Sequence, residues 1–455
     1  MRKKVLIILF SIPLSLNAQK LSVDIKGSKS ERAILYSLQG EKTLIVDTLK
    51  SSSTGRFEYW LDPDKLHRGF YRLEVSKASP VDFIYDNEAV SLKTDLSNSA
   101  ESLQVVSSES NRLYYSFIRL NRLYKAKSEL LQLILVRYPE EDDFYKNTVS
   151  KLKELQAEYQ DFVNNRSQKK QKSFIAKYIR SAQLPVVTVK TPPEKQLIYL
   201  KSHALDKIDF SDSELIYSDL FTSKSIEYLS YYRNPQLSKE ALEKEFMISV
   251  DSLLHRAKVS QMVYQQITEY LIEGFRKFGF DRTIDYILEN YVIKDDLCLD
   301  PKIENSIERR IAQSKYLPLN SLAPEITLPD SSGEQKSLKE INSSNVLVVF
   351  YASWCPHCRE IMPQLKGLYS RLKGKGIEVL AVSLDSKKEE WINFIKENGF
   401  EWADLSDLKG WESQAAADYH IYATPSMFLL NKERRILGKP TTIEELTELL
   451  RTLRL

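Results

Sequence analysis

The sequence predicts a multidomain fold: an N-terminal all-β sandwich, an α-helical middle and a C-terminal α/β domain. Three observations predict it. At 455 residues the chain exceeds what one ordinary hydrophobic core organises. Its apolar residues alternate at first, then recur at a helical period, then form strands separated by helices. Its composition, 42% hydrophobic and 28% charged with only 13 Gly, is that of a globular protein with a large helical share.

Residues 1–19 read as an export signal: basic Arg2, Lys3 and Lys4, an apolar run from Val5 to Phe10, and Ala18 before Gln19 as a cleavage point. The run is too short for a membrane span and is interrupted by Pro13. No Cys stands there to be acylated. Formal net charge is +3, and losing those three cations leaves the chain near neutral. A nucleic-acid partner is therefore not expected, and basic runs such as Lys169 to Lys172 read as solvated helix faces.

Residues 20–107 carry the strand pattern. Leu21 to Ile25 and Thr43 to Asp47 alternate, and Phe57 to Trp60, Phe70 to Val75 and Val90 to Leu92 add short segments between turn residues. Such spacing predicts a small antiparallel sandwich or barrel. From 108 to 315 the period is helical. Leu113, Phe117, Leu120, Leu123, Tyr124, Leu130 and Leu131 form one stripe, and Leu152, Leu155, Tyr159 and Phe162 another. Leu184-Pro185 and Thr191-Pro192-Pro193 predict a break, after which Tyr264, Ile267, Tyr270, Leu271 and Phe275 resume the pattern. These aromatic stripes read as core. Residues 316–455 alternate: a strand at 346–351, a helix from Cys355 to about Leu372, and a strand at 377–384. A helix at 387–397, strands at 427–430 and 435–437, and a helix at 443–453 complete them. A β-α-β unit closed by a hairpin and a helix is the thioredoxin order.

The chain has three cysteines, Cys298, Cys355 and Cys358, too few for a disulfide framework. Cys355-Pro356-His357-Cys358 lies directly after a predicted strand and opens a predicted helix. A cysteine at a helix start meets free N–H groups and the positive end of the dipole, so its thiolate is favoured. Cys355 is thus the expected attacking sulfur, and Cys358, one turn in, the shielded resolving sulfur. Pro356 suits the first turn, where no intrahelical N–H is needed. His357 is expected to favour the Cys355 thiolate further, which would raise the reduction potential. Other uses of the pair fit less well. No second Cys pair or His cluster accompanies it to complete a zinc site. Arg359 stands where covalent haem attachment needs His. A static disulfide over two residues would staple almost nothing. No metal and no other cofactor is expected.

Ala323 to Leu328, Gly333, Leu338, Val346 to Tyr351, Ala352-Ser353-Trp354-Cys355, Pro363 and Thr424-Pro425 together carry a family likeness. With them, residues from about 318 to 455 resemble the TlpA-like branch of the thioredoxin superfamily, close to the alkyl hydroperoxide reductase group. The resemblance implies a C-terminal α/β thioredoxin-like fold in an exported thiol-disulfide oxidoreductase. It also implies protein thiols and disulfides as substrates, and a membrane thiol carrier as electron donor. Further, it implies that Pro425 is cis beside the reactive sulfur and that Thr424 and Trp354 line the substrate groove. The strands of residues 20–107 resemble the small β-domain at the N-terminus of some exported thioredoxin-like proteins. There Ser107 to Asn111 takes the place of a Gly-Ser-x-x-Asn junction, without the Gly. His203 to Asp212 looks like a segment in the helical middle of such proteins.

Three departures qualify the likeness. Thioredoxins keep a buried acid six residues before the first cysteine, where this chain has Val349, so no such proton acceptor is expected. TlpA-like proteins often carry Glu three residues after the second cysteine, where Ile361 stands. Neighbouring Glu360 is turned by about 100° around the helix. The Pro-His filling resembles an oxidising periplasmic enzyme more than a reductase. Val348 and Ala352 replace the Pro and Thr of peroxiredoxins, which argues against peroxidase activity. Three readings follow: a disulfide reductase, the same chemistry run as net oxidation or isomerisation, and a binding protein with an incidental redox pair. Cys298 reads as an inert buried thiol, and His67, His203, His255 and His420 are too scattered to mark a site.

Overall fold

The computed structural model describes residues 19–453 except 76–79, 167–170, 189–190, 296, 298 and 300–304. Cys298 and residues 1–18 of the expected export signal lie outside the described residues. The chain divides into two compact units, one running to Thr283 and the other beginning at Ile284.

The first unit opens on eight strands: β1 (Gln19–Lys26), β2 (Arg32–Gln39), β3 (Lys42–Ser53), β4 (Arg56–Leu61), β5 (Gly69–Glu74), β6 (Pro80–Tyr85), β7 (Val90–Asp95) and β8 (Gln104–Ser107). They hydrogen-bond in the order β6-β5-β2-β3-β4-β1-β7-β8. The pairing is antiparallel except for β1 with β7, which run parallel, a departure from the antiparallel expectation. The sandwich character arises at β3. This strand pairs with β2 at one end and with β4 at the other, with register shifts in both ladders. Bulges of this kind bend and twist a strand. Both halves of the sheet then share one core, with Leu21, Val23 and Phe57 from one side and Leu35, Tyr71 and Phe83 from the other. Along β3 itself alternation misleads, because Leu44 and Ile45 are 45% and 70% exposed.

Helices α1 (Glu109–Arg137), α2 (Asp143–Asp161), α3 (Phe174–Ala182), α4 (Pro193–His203), α5 (Leu220–Ser230), α6 (Lys239–Ala257) and α7 (Gln261–Lys277) follow. The Ser107–Asn111 junction joins sheet to helix through side chains. Ser108 caps α1 with φ of 130°, and buried Asn111 both accepts from Ile84 N–H and donates to its carbonyl, each at 2.8 Å. One amide thereby pairs with the edge of β6 as a further strand would. Of the first helical stripe, Phe117 and Tyr124 are buried but Leu123 and Leu130 face outward, because a 29-residue helix outreaches its neighbours. Tyr264, Ile267, Leu271 and Phe275 on α7 are core, as their spacing predicted. No helix among the described residues is long and apolar enough to cross a membrane.

Helix α8 (Asp281–Ile287) runs across the division. The second unit continues with α9 (Asn305–Tyr316), the small hairpin β9 (Thr327–Pro329) and β10 (Gln335–Ser337), then β11 (Asn345–Tyr351) and α10 (Pro356–Leu372). After these come β12 (Ile377–Ser383), α11 (Lys388–Asn398), β13 (Ala403–Leu405), α12 (Gln414–Asp418), β14 (Ser426–Leu430), β15 (Ile436–Gly438) and α13 (Ile443–Thr452). The five main strands order as β13-β12-β11-β14-β15. β11 is parallel to β12 and antiparallel to β14, and every one of its residues is buried. A central strand covered on both faces reads as the continuous apolar run seen in the sequence. This is the thioredoxin-like arrangement, and it delivers the chain to the redox motif from the most fixed strand of the sheet.

Candidate active site

The site is built at the C-terminal end of β11. Beyond Tyr351 the chain turns through Ala352 and Ser353, both buried, to Trp354, which is 49% exposed. Cys355 is the N-cap of α10 with extended backbone (φ −80°, ψ 120°), and Pro356 occupies the first helical position. The Cys355 carbonyl accepts the first helical bond, from Arg359 N–H at 3.1 Å. Cys355 is nearly buried, whereas Cys358 is fully buried. The Thr424–Pro425 peptide bond is cis, and the Cys355 thiol donates to the Thr424 carbonyl at 3.3 Å. Cysteine pair and proline loop, 69 residues apart in sequence, thus meet at one sulfur.

The two sulfurs have opposite environments. Burial works against the Cys355 thiolate. Hydrogen bonds from the Thr424 side chain, from the Cys358 backbone and thiol and from the His357 backbone outweigh it, so its pKa lies below a free thiol's. Burial of Cys358, with the neighbouring Cys355 charge, pushes its thiol up to about 12. Around neutral pH these environments favour the thiolate at Cys355 and hold Cys358 as a thiol. His357 itself is exposed, and what reaches Cys355 from it is backbone N–H. Glu360 is exposed on α10 and Ile361 half-buried.

Several residues that shape the turn were not singled out by sequence. Asp385, fully buried just past β12, accepts from Ser353 N–H at 3.0 Å, from Ser353 Oγ at 2.7 Å and from Ser383 Oγ at 2.7 Å. Arg359 donates through Nε to the Ser353 carbonyl at 2.7 Å and lies over the Phe394 ring. Ser353 is therefore held from both sides, two residues before Cys355. The only sequence signal was an acid at the end of an apolar strand.

The position six residues before the first cysteine holds no acid, but a buried acid stands elsewhere in the sheet. Val349 is indeed fully buried and apolar, but its register partner on β12 is Ala381, whose partner on β13 is Asp404. Asp404 therefore sits two strands along from Val349, about 10 Å away by strand spacing. It accepts from Tyr351 Oη at 2.9 Å and from Trp391 Nε1 at 2.7 Å. Burial, against those hydrogen bonds, raises its pKa to about 7. It lies too far from Val349's place to serve as a direct proton acceptor there. The scattered histidines stay scattered: His67 stacks on Tyr217, and His203 pairs with Asp206. Among the described residues no cluster of His, Cys, Asp and Glu is arranged to hold a metal.

A model of the AhpC/TSA family matches residues 319–438. The chain is similar to a thiol-disulfide oxidoreductase ResA of Bacillus cereus, 27% identical over 128 residues that cover 28% of this chain and 72% of the relative. It is also similar to ResA of Bacillus subtilis (strain 168), 27% identical over 115 residues, covering 25% and 63%. A solved thiol-disulfide oxidoreductase from Bacteroides fragilis NCTC 9343 is 32% identical, covers 29% of this chain and 99% of its own, and has a TM-score of 0.28. The C-terminal part of this chain is a thioredoxin-like domain of the AhpC/TSA family, of the ResA and TlpA kind, and its chemistry is thiol-disulfide exchange.

Proposed function

We propose that the protein reduces disulfides of other proteins outside the cytoplasm. Cys355 attacks a substrate disulfide through its thiolate, forming a mixed disulfide and releasing one substrate thiolate, which takes up a proton. Cys358 then loses its proton and attacks Cys355, releasing the second substrate thiol and leaving a Cys355–Cys358 disulfide. The observation that carries this reading is the split between the two sulfurs: one depressed at a helix start, the other buried and pushed up to about 12. Thr424, Pro425 and exposed Trp354 form the rim on which an extended substrate segment would lie. The export pattern of residues 1–19 supports an extracytoplasmic site of action, and a membrane thiol carrier would return the electrons.

Direction is tested by the midpoint potential of the pair. A value near that of thioredoxin, about −270 mV, is expected for a reductase. A value near about −120 mV, that of a strong periplasmic oxidant, would contradict it. The exposed His357 ring, which reaches Cys355 only through its backbone, favours the lower value.

A further inference from the structure

The loop that brings Thr424 and Pro425 to Cys355 begins at the end of α12, where a helix terminus leaves backbone groups to satisfy. The N–H groups of Tyr419, His420 and Ile421 turn back onto Ala415, Ala417 and Ala416. His420 adopts a φ of 49°, in the left-handed region. The carbonyls of the same three residues are taken up by α9, which precedes the residues matched by the family model. Gln313 Nε2 donates to Tyr419 O at 3.0 Å and to His420 O at 3.3 Å. Arg309 Nη1 donates to Ile421 O at 3.3 Å, and the Arg310 guanidinium lies 4.7 Å from the Tyr422 ring centre. Tyr419 Oη, in turn, donates to the Pro324 carbonyl.

The helix that makes these bonds is itself fixed. Arg310 pairs with Asp285, and Lys439 donates to the Gln313 carbonyl at 3.4 Å. Gln313 and Arg310 are 6% and 5% exposed, so their positions are set by packing. A buried carbonyl without a donor is costly, and these three lie beyond the last turn of α12, where no further helical N–H follows to pair with them. Two residues beyond Tyr422, the Thr424 carbonyl accepts from the Cys355 thiol, and the Thr424 side chain favours the Cys355 thiolate.

We propose that α9 is a positioning element of the redox site, with Gln313 and Arg309 holding the loop that presents Thr424 and Pro425 to Cys355. The inference rests on the reading of Cys355 as the nucleophile. It ties part of the chain upstream of the family domain to the chemistry. Neither Gln313 nor Arg309 touches substrate or sulfur; they act through the loop.

The test uses the full chain. Gln313→Met keeps length and bulk while removing both donated bonds, and Arg309→Met removes the third at a half-exposed position. In a Cys358→Ala background, the alkylation rate of Cys355 by iodoacetamide is followed against pH. With Cys358 intact, KM and kcat are measured for reduction of insulin disulfides. The proposal expects both variants to move the Cys355 profile to higher pH and to raise KM about three- to tenfold, with kcat within about twofold. Variants that lower the melting temperature but leave profile and KM unchanged assign α9 a purely structural role and overturn the proposal. Should Gln313→Met not fold, Arg309→Met alone decides. A Cys355→Ser control separates the two layers: residual exchange there sinks the nucleophile assignment, independently of α9.

Discussion

Cys355 and Cys358 differ most in which of them is ionised near neutral pH. The thiolate is the reactive form, so an alkylating agent at pH 7 should label Cys355 at least about a hundredfold faster than Cys358, whose thiol is pushed up to about 12. As pH rises, the Cys355 rate should plateau before a free thiol's range, because its pKa is depressed. Site-resolved mass spectrometry of alkylated peptides checks both. Asp385 gives a second prediction. Asp385→Ala strips the Ser353 N–H and hydroxyl of buried partners, and the second unit should lose about 3 kcal/mol in denaturant titration. The cysteines were legible because the motif's chemistry depends on local context that sequence shows: strand before, helix after, proline at the first turn. Asp385 and Asp404 were not. Their meaning comes from strands brought together by register, and a lone acid in an apolar run carries no sign of its partner.

At the scale of elements, the long strands and helices of the redox domain were readable to within a residue or two, whereas the short β9–β10 hairpin, β13 and α12 carried no pattern to mark them. The first unit was less so. β2, β6 and β8 were not marked as strands, and Leu123 and Leu130 have core spacing although α1 outruns its neighbours. Sequence periodicity reports a face, not whether anything covers it. The Ser107–Asn111 junction shows the reverse, a polar cluster whose role is architectural. Asn111→Ala should cost about 2 kcal/mol and detach the start of α1 from β6, because Ile84 then loses both partners of its buried backbone groups. Amide exchange at Ile84 reads this directly. Gly438 sets a milder constraint: a Cβ there would meet a Leu449 methyl on α13 that can turn aside, so Gly438→Ala should lower the melting temperature only slightly.

For the molecule as a folding unit, Asp404 sets a pH dependence. Its folded-state pKa, about 7, is raised above the ordinary 3.8, so the native state holds a proton that the unfolded chain has released. Stability contributed through this group is therefore highest below about pH 4, falls as pH rises towards 7, and is level above. Between pH 5 and pH 8 the loss is about 2–3 kcal/mol. Asp404→Asn should abolish that slope, so wild type and variant should differ more favourably for the variant at pH 8 than at pH 5 in parallel urea titrations. The donors Tyr351 and Trp391 pull the other way, which is why the shift is not larger. Tyr351 ends the strand that feeds Cys355, so this buried carboxyl shares a wall with the site without joining the exchange.

The central claim is the division of labour between the two sulfurs. Cys358→Ala and Cys355→Ala chains, each mixed with one purified disulfide protein and quenched with acid, should be read by intact mass. A covalent adduct of the substrate's mass is expected on Cys358→Ala, mapping to Cys355, and none on Cys355→Ala. An adduct on the Cys355→Ala chain, or none on either, would contradict the claim.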